Sequence, residues 1–170
     1  MSPSDAEIGQ HLLDDLRRAY AGDAWYGPPL VALLRDVPGS AAAARPIPGA
    51  HSIWEVVLHL TSWTREVTRR LRGAPPRPPV EGDWPEVGEP GDWSWLAARE
   101  ALAEAQRDAE AAVAAFDPAR WRELVGGAER DATLGSGVSF ATMVSGLAQH
   151  HAYHGGQIGL LRKGVLAAAP

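Results

Sequence analysis

The sequence predicts an all-α protein, a four-helix bundle with one long crossover connection. Three observations predict it. Apolar residues recur at i, i+3, i+4 and i+7 spacing in four long stretches. No stretch alternates polar and apolar residues as a half-buried strand does. A segment rich in Pro and Gly, too long for a tight turn, separates the second of these stretches from the third.

The first helix is expected over residues 5–21. Ile8, Leu12, Leu13, Leu16 and Tyr20 keep helical spacing, and Asp5 stands where it can cap the start. Pro28 and Pro29 open a short helix over 30–37, with proline at the favoured first positions. Residues 38–50 hold three prolines and two glycines and read as a loop. The next helix, 52–71, carries the strongest signal. Ile53, Val56, Val57, Leu60, Trp63, Val67 and Leu71 trace one apolar stripe. Ser52 and Glu55 form a capping box at its start, and Gly73 closes it. Residues 73–92 are rich in Pro, Gly and acid and read as a long exposed connection. An Ala-rich helix over 93–115 stops at Asp117-Pro118, and a helical turn follows near 119–123. The last long helix covers 139–163, with Phe140, Met143, Val144, Leu147, His150, His151, His154, Ile158 and Leu161 on its inner side.

Composition narrows the function. A chain of 170 residues, 45% hydrophobic and 22% charged, suits one globular domain over 1–170. It has no cysteine, which removes disulfides, thiolate ligands and a cysteine nucleophile. Its net charge of −5 argues against nucleic acid. The one basic cluster, Arg65, Arg69, Arg70 and Arg72, could meet an anionic cofactor, but a solvated helix face is the simpler reading. The first residues show no apolar leader, and no run of apolar residues is long enough to span a bilayer. The expected location is the cytoplasm.

The chemistry concentrates in histidine. His150 and His154 are four apart, so an α-helix presents both imidazoles on one face. His151 points about 100° away and is set aside. His59 sits in the inward stripe of 52–71, where a neutral imidazole needs a partner. Three imidazoles with an open position make a reactive site for a divalent ion, zinc or nickel first, and iron and copper accept the same donors. His11 and His51 lack local partners.

Glu55 shares the face of His59. It is a candidate base or partner of an imidazole, although the capping box alone accounts for it. Gln157 follows His154 by three, placed either to meet a substrate or to bond within the bundle. Tyr153 is expected to point away from the ligands. Of seven tryptophans, Trp84, Trp93 and Trp95 flank the long connection and suit a pocket or a subunit interface.

Two strings carry a resemblance. Residues 51–63, His-Ser-Ile-Trp-Glu-Val-Val-Leu-His-Leu-Thr-Ser-Trp, resemble the second-helix motif of the DinB/YfiT-like superfamily. Residues 150–163, His-His-Ala-Tyr-His-Gly-Gly-Gln-Ile-Gly-Leu-Leu-Arg-Lys, resemble its last-helix motif. Trp25-Tyr-Gly-Pro-Pro-Leu and Arg45-Pro-Ile-Pro-Gly-Ala-His51 add to it. The likeness covers residues 5–72 and 138–163 and is weak between them. It departs at His151, where an acidic residue is more usual.

The resemblance implies a four-helix bundle whose metal ligands are His59, His150 and His154, often dimeric. It implies a thiol-dependent transferase or isomerase using a low-molecular-weight thiol such as bacillithiol or mycothiol, acting on a small molecule. A metal-dependent hydrolase and a non-catalytic, stress-related metal-binding protein are the alternatives. In a chain without cysteine, the sulfur would have to arrive with a small molecule.

Overall fold

The computed structural model describes residues 4–128 and 131–167. The first three residues, on which part of the no-leader reading rests, and the outer ends of the expected 1–170 domain lie outside them. Every regular element among the described residues is helical: α1 (Asp5–Tyr20), α2 (Leu30–Leu34), α3 (Gly39–Ala43), α4 (Ile53–Leu71), α5 (Asp92–Ala114), a 3₁₀ turn (Pro118–Arg120) and α6 (Phe140–Ala167). The only extended pairing among them is an isolated bridge between Leu124 and Ser139.

Local chemistry sets the helix starts. Ser4, rather than Asp5, caps α1: its Oγ accepts the Glu7 N–H, and Glu7 returns a carboxylate to the Ser4 N–H at 2.7 Å. Ser52 and Glu55 form the same box on α4, at 3.2 and 2.8 Å. The short helix α3 falls within the stretch 38–50 that reads as a loop. It is one turn long, has no side-chain cap and follows Pro38, so its sequence carries little helical signal.

The four long helices close a ring in which α4 packs on α5 and α6, and α1 packs on the same two. Two core clusters fill it. One joins Leu12 and Leu16 of α1 to Val67 and Leu71 of α4, Val113 of α5 and Val144 of α6. The other joins Ile53, Val57 and Leu60 of α4 to Trp95 and Leu102 of α5 and Ile158 of α6. The C-terminal ends of α4 and α5 thus share a pole with the start of α6. Therefore α4 and α5 run parallel, and α6 runs against both.

That topology explains the crossover. A helix of 19 residues is about 28 Å long, and a parallel successor must start where it began. The chain from 72 to 91 therefore returns along the flank of α4, bonding to it as it goes. The Arg77 N–H meets Glu66 at 3.2 Å, Arg65 meets Glu81 at 2.9 Å, and Ser62 Oγ donates to the Gly82 carbonyl at 2.5 Å. The connection is exposed along most of its length, as expected, and is also docked on α4 by these bonds.

The arginine cluster is also not a uniform solvated face. Arg70 is 2% exposed and donates to Glu66 at 2.7 Å; Arg69 adds two bonds to the same buried carboxylate. The i, i+4 spacing sets Glu66 and Arg70 side by side on α4, and both are buried.

Candidate metal centre

His59 lies on α4 and His150 and His154 on α6, where these helices pack together. The three rings converge. Their centroids are 4.9 Å (59 to 150), 4.8 Å (59 to 154) and 4.5 Å (150 to 154) apart, all edge-on. One ligand nitrogen from each lies within 4.8 Å of the other two, and no carboxylate or other histidine of the described residues joins the group. His59 and His154 are buried, and His150 is half-buried.

Hydrogen bonds select the free nitrogen. The Nδ1–H of His59 donates to the Asp83 carbonyl at 2.6 Å, with the Asp83 carboxylate 3.3 Å away. The Nδ1–H of His154 donates to Gln157 Oε1 at 2.7 Å. Each bond leaves Nε2 as a lone pair. His59 Nε2 stands 2.9 Å from His150 Nε2. Metal–imidazole bonds of about 2.0–2.1 Å bring two ligand nitrogens about 3 Å apart. The residues therefore fit a divalent ion.

The electrostatics agree. Burial pushes the pKa of His59 and of His154 below the usual imidazole value. His150 is pushed down to about 3, by burial first and then by the rings of His154, His59 and His151. All three are neutral at pH 7, the form that binds metal.

Trp84 walls the site. Its ring lies 3.6 Å from that of His51 at 5° and 4.0 Å from that of His59 at 10°. Two imidazoles cannot both lie so close to one indole centroid on the same face, so they flank it. Trp63 Nε1–H donates to Asp83 Oδ1 at 2.6 Å and fixes the turn that delivers Trp84. Beside the triad opens a cavity of about 560 Å³, lined by His150, His154, Gln157, Trp84, His51 and Tyr153, with aliphatic residues completing it.

Gln157 sits beside the triad, bonded to His154. Glu55 is committed elsewhere: its carboxylate closes the capping box, meets Arg45 at 2.5 Å and lies 3.5 Å from His51 Nδ1. His151 stays apart, fully buried, with Nε2 3.1 Å from Thr64 Oγ1. Tyr153, expected to face away, lines the cavity, its ring 5.0 Å from that of His154. Asp83 carried no signal in the sequence reading, and His51 showed no local partner there. A Trp inside a stretch otherwise rich in Pro, Gly and acid was the available clue, since such a residue must find a surface to cover.

A family model described as the DinB superfamily matches residues 29–158, which include all three histidines. Neither a curated protein nor a solved structure matches the chain.

Proposed function

Since the chain belongs to the DinB superfamily, we propose that it is a divalent-metal-dependent enzyme for a small molecule, of the thiol-dependent S-transferase or isomerase type. One observation carries this reading: His150 and His154 of the neutral triad line a cavity of about 560 Å³, and no further His, Asp or Glu of the described residues closes the group. Storage or sensing of an ion needs no such cavity, and catalysis does.

An ion there supplies Lewis acidity and lowers the proton affinity of a thiol or water beside it. The chain's own residues do the rest. His59, His150 and His154 would hold the ion, zinc or nickel first. Asp83 and Gln157 fix the ring tautomers. Glu55 acts only through His51, whose ring it orients at the cavity's rim. With no carboxylate free in the cavity to activate water, transfer to a thiol is preferred over hydrolysis. The thiol is a small molecule, since the chain has no cysteine.

A homodimer and a cytoplasmic location complete the proposal. Exposed Tyr26, Leu160 and Leu166, which line a groove along α6, support self-association. No helix among the described residues is long and apolar enough to cross a membrane.

Metal analysis of the purified protein tests the centre. One ion per chain is expected, lost in His59→Ala and in His154→Ala. Metal retained in both variants refutes it. Turnover of electrophiles with a panel of small thiols then tests the reaction.

A further inference from the structure

The cavity beside the triad has a one-sided chemistry. Ile47, Val56, Leu160 and Leu161 give it aliphatic walls, and Trp84 and Tyr153 give it aromatic ones. No Lys, Arg, Asp or Glu lines it. Its polar groups apart from the triad are few: Gln157, whose Oε1 takes the His154 proton, the Tyr153 hydroxyl, and His51, whose ring lies flat on Trp84. The nearby carboxylates are occupied as well, Glu55 by Arg45 and Ser52, and Asp83 by Trp63. Arg162 and Lys163 line a neighbouring groove that shares only Leu160 with this cavity.

We infer that the site takes a substrate with an apolar aryl or alkyl body and a single ion-binding head group, and rejects molecules carrying further charges on that body. This rests on the metal-dependent reading above. The head group would meet the ion, the one place where charge is compensated. The body would lie against Trp84 and Leu161, displacing water from apolar surface. A second carboxylate on the same body would enter a largely apolar space with no Lys or Arg to receive it, and would lose hydration that no charged partner replaces.

The test uses cobalt(II)-loaded protein, whose visible spectrum changes when a thiolate enters its coordination sphere. Three thiols are titrated at pH 7.5: benzyl mercaptan, 2-mercaptoethanol and mercaptosuccinate, each affinity corrected for its thiolate fraction. Benzyl mercaptan should bind at least tenfold more tightly than either of the others. Tyr153→Lys adds a cation to an exposed wall position and should raise the mercaptosuccinate affinity several-fold with little change for 2-mercaptoethanol. Mercaptosuccinate binding the native protein as tightly as benzyl mercaptan overturns the inference. So does cobalt uptake with no response to any thiol. Failure to take up cobalt at all is a separate outcome, and sinks the metal reading with it.

Discussion

His154 donates its Nδ1 proton to Gln157 Oε1 at 2.7 Å, from one turn of α6 to the next. The bond holds the ring with Nε2 bare. Leu at 157 would leave the ring free to rotate and to change tautomer. Gln157→Leu should weaken metal affinity about tenfold or more. Gln157→Glu, which keeps an acceptor, should stay close to wild type. Competition against a chromophoric chelator measures both.

Acid should destabilise the metal-free protein in a defined window. An imidazole in the unfolded chain titrates near 6.5, whereas burial holds His150 down to about 3 and His151 down to about 4 in the fold. The unfolded state therefore takes up protons first. The stability is present in full above about pH 6.5 and is lost as pH falls from there toward about 3. Urea midpoints measured across that range should decline steeply below 6.5 and level off above about 7. His150→Asn should reduce the slope by about one proton, or about 1.4 kcal/mol per pH unit.

Glu66 is the acid that stabilises the α4 flank. Its carboxylate takes bonds from Arg69, from Arg70 and from the Arg77 backbone. Glu66→Ala strands the buried Arg70 cation and should cost about 3 kcal/mol. Arg69→Ala leaves Glu66 two of its partners and should cost about 1 kcal/mol. Equal losses in urea denaturation would contradict this ordering.

Glu55 is predicted to matter for the helix and not for the ion. Glu55→Ala opens the capping box and should lower stability by about 1 kcal/mol with metal stoichiometry unchanged. Loss of metal in this variant would mean that the carboxylate supports the centre directly.

Much of this was legible in the sequence, and the reasons are local. The start of α4 follows from Ser52 and Glu55, and its inner face from the spacing of Val56, Leu60 and Val67. His150 and His154 pair by helical periodicity alone. His59 joined them only through the bundle and the resemblance, because the contact between α4 and α6 is not written in either helix. The crossover is legible as long and exposed, but its docking on α4 is not, for a similar reason. Pro, Gly and acid dominate it, yet its path is dictated by the parallel course of α4 and α5. Asp83 and Trp84 therefore reach the histidines through topology, which no local pattern encodes.

The separation of the ligands along the chain has a thermodynamic consequence. His59 and His150 stand 91 positions apart. In the unfolded polymer these two imidazoles could share an ion only after closing a loop of that length, which costs about 4 kcal/mol of chain entropy. Folding closes the loop in advance, and the difference is about a thousandfold in affinity. An ion that discriminates so strongly pulls the chain toward its native state by mass action. Folding and ion supply then become one coupled equilibrium, and the population of native molecules rises and falls with free metal.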